Sequence, residues 1–531
     1  MIRSMSELNT ESLDLSNPQI LLSVLKKLKQ TIEQEGHSTF ERWRSQIQQS
    51  DFLASALNLA YYLALRCYDL RPLQVALMPW GLSSLGRIEA RVMPNLDAVI
   101  ATLMAICDKD SNEPSSESVN RPDLMSFFEG NYLLQRRTEE LFGPSLAHRR
   151  VRIMVTLPTE AATDYDFVRT LLERGANCLR INCAHDDPVL WQGMIDQVRR
   201  AEQETGRLCK IMMDLGGPKI RTGTVVTPPG QSRVFRGDQI VLLRNAPESN
   251  AECDPKRSPS TLFQIQCSVP NIIDQLEVGA LVYIDDGTIR TQVVKTHYLL
   301  PNGQSGLLLE VTHARPKGVK LRSKKGLNFP NTVLSLNPLT EKDRQDLDFV
   351  AVHADIIGYS FVQRSADLEL LQHELDERLQ RHRPRPAIVA KIETAMAVNN
   401  LPELIIQAAG KQPFGVMIAR GDLAVEIGYQ RLAEIQEEIL WICEAAHIPV
   451  VWATQVLENL VKNGAPSRGE MTDAAMAERA ECVMLNKGPF IAEAVTILDD
   501  VLTRMETHQL KKTPQLRALH SWSIANHPPL T

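Results

Sequence analysis

The chain has 531 residues, 44% of them hydrophobic and 23% charged, with a formal net charge of −6; that length exceeds one ordinary core and predicts two to four folded domains. With a pI of 6.1 it lacks the basic face a nucleic-acid partner requires. Its longest apolar runs fall short of the roughly 18 residues that span a bilayer, so no membrane partner is expected. The opening stretch MIRSMSELNTESLDLSN carries acidic residues and no apolar core, and is not read as a secretory signal. Residues 18–107 are helical by periodicity: Leu21, Leu22, Leu25, Leu28 and Ile32 share one face, and Phe52, Leu53, Ala56, Leu57 and Ala60 another. Within them Gly81-x-x-x-x-Gly86-Arg87-Ile88 approaches a phosphate loop, but Arg87 replaces its lysine and Ile88 its hydroxyl residue. No strand precedes it, so it reads as a turn between helices. Trp80 and Trp522 mark no cofactor pattern.

The polar stretch DKDSNEPSSESVN (Asp108–Asn120) reads as a linker that closes an N-terminal helical region of 1–120. A helix over Leu124–Phe142 leads to Gly143-Pro144, and from Arg152 short apolar runs alternate with longer amphipathic ones. Strands are predicted at 153–156, 178–182, 210–214, 356–360, 387–391, 414–419, 449–453 and 482–486. Sequential βα units of this kind predict an α/β fold, a (β/α)8 TIM barrel. The barrel is divided into 121–223 and 326–510 by residues 224–325, and 511–531 form a tail. SRVFRGDQIVLLRN, ALVYIDDGTIRTQVV and GLLLEVTHA in the interruption alternate apolar with polar around turns such as Asp286-Gly287. A small β-barrel inserted after strand three is expected to hang over the barrel as a lid. Nine cysteines without Cys-x-x-Cys spacing read as reduced thiols of a cytoplasmic protein.

Barrel enzymes place their chemistry where strands end. Strand two ends in Arg180-x-Asn182 and strand three in Asp214, before Gly216-Gly217-Pro218-Lys219-Ile220-Arg221. Strand four ends at Ser360, strand five in Lys391-Ile392-Glu393, strand six in Arg420-Gly421-Asp422 and strand seven in Thr454-Gln455. One such pair is most simply a structural ion pair; polar groups at successive strand ends predict a convergent site. Glu393 and Asp422 are carboxylates on neighbouring strands, and Mg²⁺ favours one or two carboxylates with substrate oxygens and water. No His/Cys cluster offers a zinc site. Arg180, Lys219, Arg221 and Lys391 suit a phosphorylated or carboxylated substrate. These parts serve phosphoryl transfer and would equally stabilise an enolate.

Taken in order, KIMMDLGGPKIRTG, LRSKKGLNFP, LSLNPLTEKDRQDL, AKIET, IARGDLAVEIG, ATQVLENL and PSRGEMTDAA resemble consecutive signature segments of the pyruvate kinases, over about residues 150–507. The resemblance implies phosphoryl transfer from phosphoenolpyruvate to ADP, giving an enolate that is protonated to pyruvate. It implies that Glu393 and Asp422 hold Mg²⁺ (or Mn²⁺) and that Lys391 neutralises the phosphoryl group and the enolate oxygen. Arg180 would steady the phosphate, Thr454 would lie beside the methyl carbon that receives the proton, and Ser360 would belong to the catalytic group. Gly421 would let backbone approach substrate. Asn182 and Asp214 would form the monovalent-cation site, and Arg221, His185 and Lys325 would lie toward the nucleotide. Arg420 is expected to pair with Glu426 away from direct contact.

Departures from the family pattern cluster on the nucleotide and potassium side. LPTEAA (Leu157–Ala162) replaces a Gly-Pro loop, and Asn486-Lys487-Gly488-Pro489-Phe490 replaces Ser-Gly-Glu-Thr-Ala. Ala184 replaces a serine hydroxyl, and Lys219 stands where potassium-dependent members carry glutamate, so K⁺ is expected not to be required and Lys219 to take its place beside Asp214 and Asn182. The family's C-terminal regulatory domain has no counterpart in the segments read. The N-terminal helices, which match no pyruvate kinase segment, are expected to serve a homo-oligomer or a protein partner. Two other readings stand beside this one: a Mg²⁺-dependent phosphoenolpyruvate or oxoacid enzyme with another acceptor, and a non-catalytic metabolite sensor.

Overall fold

The computed structural model describes residues 15–110, 119–247, 262–330, 332–379 and 384–515; of the linker expected at 108–120, residues 111–118 lie outside them, as does Trp522 in the tail, while 108–110 continue a helix instead. The chain begins with helices α1 (Pro18–Arg44), α2 (Leu53–Leu65), α3 (Arg71–Leu77), α4 (Val92–Asp110) and α5 (Leu124–Phe142). Asn17 caps α1, its side chain accepting from the Gln19 amide at 2.9 Å, and Pro18 fixes the first turn. The face read from periodicity is buried, with Leu21, Leu25, Leu28 and Ile32 fully so. It does not stand apart: these residues share one apolar core with Ile435 and Ile439 of the Tyr429–Ala445 helix on the barrel's outer layer. One expectation is corrected here. The segment Glu89–Asp108, with mean hydropathy 1.4, is long and apolar enough to cross a membrane; half of it is buried inside the fold.

The barrel consists of β1 (Arg152–Thr156), β2 (Cys178–Asn182), β3 (Lys210–Asp214), β4 (Ile356–Tyr359), β5 (Ala387–Ile392), β6 (Phe414–Ala419), β7 (Val450–Ala453) and β8 (Cys482–Leu485). All neighbours are parallel, and β1 closes on β8 with Arg152 opposite Cys482 and Val155 opposite Leu485. Near-continuous apolar runs form these strands because both faces are covered. One set of side chains fills the interior, among them Met154, Met212, Val389, Met417 and Met484, and Leu141 and Phe142 from the end of α5 join them. A Cβ at Gly415 would lie 2.5 Å from Leu141. The barrel floor is therefore plugged by a helix that precedes β1, which leaves the opposite end, where strands finish, free for chemistry.

Between β3 and β4 the chain forms a separate seven-stranded sheet running from Thr222 to Asn328. It rolls around its own core of residues such as Ile240, Leu242, Ile265, Val282 and Leu309. Its two edges meet where Leu327 N donates to Ile220 O at 2.9 Å and Thr222 N to Lys325 O at 2.7 Å. Three of its strands, Thr222–Val226, Phe263–Cys267 and the two-residue Leu327–Asn328, are not among the predicted ones. The hairpin turn falls at Asp285–Gly287, all three residues having positive φ, as a tight turn after Ile284 requires.

Candidate functional site

Strand register brings the predicted residues together at one end of the barrel. Asn182 lies opposite Asp214 across β2 and β3, and Lys391 lies opposite Met417 on β6. Asp214 is almost fully buried, and its Oδ2 accepts from Arg180 Nε at 2.9 Å and faces Lys391 Nζ at 3.5 Å. Burial works against its charge, but Lys391 and Arg180 outweigh this and hold its carboxyl below the ordinary aspartate value. Gly358 on β4 makes room for it, since a Cβ there would come within 2.5 Å of Asp214 Oδ1. Arg180 also donates to Thr156 Oγ1 at the end of β1, at 2.9 Å.

Lys391 is held on three sides. It donates to Ser360 Oγ at 2.7 Å and lies 3.1 Å from Glu393 Oε1, with Asp214 beyond. Burial alone would lower its pKa; Asp214 and Glu393 reverse that and raise it, so the ammonium is charged. Ser360 is buried, donates to Leu215 O at 3.0 Å, and thus positions Lys391. Glu393 is 2% exposed, and burial followed by Asp422 raises its carboxyl, with Lys391 pulling the other way. Its Oε2 accepts from the Phe361 amide at 2.6 Å, and Phe361 sits at φ 57° to present that amide.

At the end of β7, Thr454 (φ 67°), Gln455 (56°) and Leu457 (48°) all adopt left-handed backbone, a costly arrangement for a β-branched residue and one that collects at functional sites. Thr454 Oγ1 accepts from the Gly421 amide at 2.8 Å. A Cβ at Gly421 would only reach ordinary contact with Thr454, at 3.6 Å, so no protein neighbour demands glycine there.

Two expectations change. Lys219 does not join Asp214 and Asn182; its Nζ lies 2.9 Å from Asp422 Oδ1 and 3.2 Å from Oδ2. The turn at Gly217 (φ 64°), tightened by Lys219 N donating to Gly217 O, carries the chain toward the inserted sheet and the β6 side, where Asp422 is available. Arg420 pairs with Asp473, not Glu426: Nη2 lies 2.9 Å from Asp473 Oδ2, and the guanidinium lies over the Trp452 ring at 4.6 Å. Arg420 starts the helix Arg420–Ile427, and six helical positions place Glu426 about 240° further round. Glu426 instead meets Asn328 and the Phe329 backbone of the inserted sheet, with burial raising it to about 7. The residues expected toward the nucleotide have these surroundings. Lys325 pairs with Asp285 at 2.9 Å within the inserted sheet, Arg221 donates to Lys324 O, and His185 is exposed on the rim. The residues that sequence reasoning missed are Thr156, Asp473 and the Phe361 amide. Asp473 lay in a recognised segment and Thr156 at a strand end, whereas a backbone donor leaves no side-chain signature.

The donor set can be tested against a divalent cation. Among the described residues no group of three or more His, Cys, Asp or Glu could hold a metal. Two oxygen-only carboxylates, Glu393 and Asp422, meet the modest protein share that Mg²⁺ requires, so the residues fit it.

Residues 148–495 match the family model described as pyruvate kinase, barrel domain. The chain belongs to the pyruvate kinase family. It is 32% identical over 369 residues to pyruvate kinase of Methylorubrum extorquens, covering 68% of this chain and 70% of the relative. It is 29% identical over 370 residues to that of Dictyostelium discoideum, covering 68% of each. In structure it is similar to a pyruvate kinase from Cryptosporidium parvum, with TM-score 0.58 and 27% identity over 70% of this chain and 72% of that one. As a pyruvate kinase family member it is a phosphotransferase acting from phosphoenolpyruvate to ADP. Divalent-metal dependence is a general family property. The matched region leaves α1 to α5 outside it.

Proposed function

We propose that the ends of β2 to β7 carry out phosphoryl transfer with Lys391 as the central electrostatic group. The observation that carries this reading is the Lys391 ammonium, fixed by Ser360, Asp214 and Glu393 with Asp422 and Thr454 on the next strand ends. The bond from the enol oxygen of phosphoenolpyruvate to phosphorus breaks as a terminal phosphate oxygen of ADP bonds to phosphorus. The enolate keeps the electron pair and takes a proton at its methylene carbon to become pyruvate. Lys391 opposes the charge that moves onto the enolate oxygen, a role preorganised by its three partners. Arg180, already locked by Asp214 and Thr156, offers the phosphate a fixed cation, and Thr454 borders the carbon that is protonated. Glu393 and Asp422 would hold Mg²⁺ or Mn²⁺, which neutralises phosphoryl oxygens when bound. Arg221, His185 and Lys325 would serve the nucleotide. A coupled assay with phosphoenolpyruvate, ADP and Mg²⁺ is expected to show pyruvate formation; phosphoenolpyruvate consumption that needs no ADP would instead favour an enzyme with another acceptor. Glu393→Gln and Asp422→Asn should each raise the Mg²⁺ concentration for half activity, and unaltered metal dependence in both would remove the assignment.

We further infer that turnover does not require potassium. Asp214 already faces Arg180 and Lys391, Ala184 has no hydroxyl, and Lys219 adds a third ammonium or guanidinium group to the mouth. A potassium ion 4 Å from one such cation would be repelled by about 4 kcal/mol at an effective dielectric near 20. Equal turnover in tetramethylammonium and potassium salts is the expected result; strong potassium activation would overturn it. A cytoplasmic location is inferred from the eight described cysteines, none of which is joined in a disulfide.

A further inference from the structure

Outside the barrel mouth, a group of buried polar atoms without partners lies on the far side of the fold, in a cavity of about 400 Å³. It is bounded by the turn entering α4, the start of α5, Glu444 of the Tyr429–Ala445 helix and the hairpin Gln509–Pro514. Three side chains there are short of partners. Arg91 is stacked over Phe127 at 4.7 Å and Phe128 at 5.0 Å, and its Nε and Nη1 are buried with nothing accepting from them. Glu89 is 2% exposed; its Oε1 takes Lys512 and the Tyr62 hydroxyl, but its Oε2 has no partner. Asn131 Oδ1 is likewise buried and unpartnered. A donor or acceptor left unpaired in a buried setting costs about 1–3 kcal/mol, and more when charged, so three such side chains on one cavity wall form a place where a bound molecule gains hydrogen bonds that the protein itself does not make.

The charges say which ligand. Lys512 is taken by Glu89 and Lys511 by Glu481. Glu444, pushed up to about 7 by burial, is the one carboxylate left on the wall. Against it stand Arg91, which feels the charges of Glu444 and Glu89 without a close ion pair among the described residues, and the exposed Arg87. Guanidinium groups present the fork that matches phosphate oxygens, while Glu89 Oε2 and Asn131 Oδ1 are acceptors suited to hydroxyl groups. We propose that this cavity binds a small phosphate monoester bearing hydroxyl groups, its phosphate on Arg91 and Arg87 and its hydroxyls on Glu89 and Asn131. The volume is within the range of small-molecule pockets. The site is built almost wholly from segments outside the family-matched region.

Titration calorimetry of the full chain with glycerol 3-phosphate tests this, with alanine as a zwitterionic comparison and Lys391→Met to weaken phosphate binding at the barrel mouth. Lys391→Met should still bind glycerol 3-phosphate. Adding Arg91→Met should weaken that binding roughly tenfold or more, as expected for loss of one charge-assisted fork. Arg87→Ala, an exposed change that spares the fold, should weaken it several-fold and decides the matter if Arg91→Met does not fold. Absence of binding in Lys391→Met, equal affinity in the arginine variants, or tighter binding of alanine would each overturn the proposal.

Discussion

Two regions of this molecule bury charged and polar groups, and they do so in opposite ways. At the barrel mouth Arg180, Lys391 and Lys219 face Asp214, Glu393 and Asp422, cation against anion, on separate strand ends. Around Arg137 and Asn58, at the seam between the N-terminal helices and the barrel, the groups are closed off largely by backbone. Arg137 Nη1 donates to Ser55 Oγ and to the carbonyls of Ala446 and His447, and Asn58 spans Glu89 O, Ala445 O and the Val92 amide. The difference teaches what marks a reacting site. Carbonyl partners have no exchangeable charge and serve only to dock one element on another. Charges held by other charges can trade partners with a substrate, which is what phosphoryl transfer needs.

The largest expected effect comes from breaking the mouth. Lys391→Met removes the cation that three groups hold in place, and should lower kcat by on the order of 10²–10³ or more. Because the methionine replaces a side chain in a pre-formed polar cup, circular dichroism should be unchanged. Retention of half the rate in a folded variant would show that Lys391 is an ion-pair partner of Asp214 and nothing more.

The seam is broken differently, through packing. Gly130 on α5 lies against the turn before α4, and a Cβ there would come within 2.0 Å of Ala90 O and 2.3 Å of His447 Nε2. The first of these is backbone and cannot step aside. Gly130→Ala should therefore cost about 1–3 kcal/mol or more through overpacking, read as a lower denaturation midpoint. Activity per folded molecule should change far less than for Lys391→Met, since α5 touches the barrel floor. An unshifted midpoint would mean that the N-terminal helices are not held at this contact.

The same contrast explains what could be read from sequence. Strands β1 to β8 were legible because each is an apolar run set between amphipathic ones, and the mouth residues because they stand at the ends of those runs. Lys391, Glu393 and Asp422 are thus visible without coordinates. Partner choice was not: Arg420 finds Asp473 53 positions on, and Lys219 crosses 203 positions to Asp422, distances that no local pattern encodes. The strands Thr222–Val226 and Phe263–Cys267 escaped because TGTVV and FQIQC are short and half polar. The seam was least legible of all. Ser55 and His447 are 392 positions apart, and each looks like an ordinary polar residue in its own helix or turn.

The smallest effect sharpens the comparison through pH. His447 is 3% exposed, with Nδ1 2.8 Å from Ser55 Oγ and Nε2 3.0 Å from Ala90 O. A carbonyl only accepts, so Nε2 carries the hydrogen and Nδ1 accepts from Ser55, whose oxygen in turn accepts from Arg137. The neutral ring satisfies every partner. A charged ring would be buried beside Arg137, and burial first, with Arg137 adding to it, depresses His447 to about 4 against 6.5 unfolded. The folded state then binds fewer protons between those values, so this contribution is full above about pH 6.5 and is lost as pH falls toward 4, by about 3 kcal/mol at most. Glu426 and Glu478, raised by burial to about 7, act with the opposite sign: their folded forms hold protons, and stability falls as pH rises from 4.5 through 7. The raw stability profile mixes these, but the difference between wild type and His447→Gln isolates the histidine. Denaturant unfolding at pH 7.5, 6.0 and 5.0 should show the stability gap narrowing as pH falls, because wild type loses what the variant never had. A gap independent of pH would mean that His447 is not held neutral at the seam, and that this region shares the charged character of the mouth.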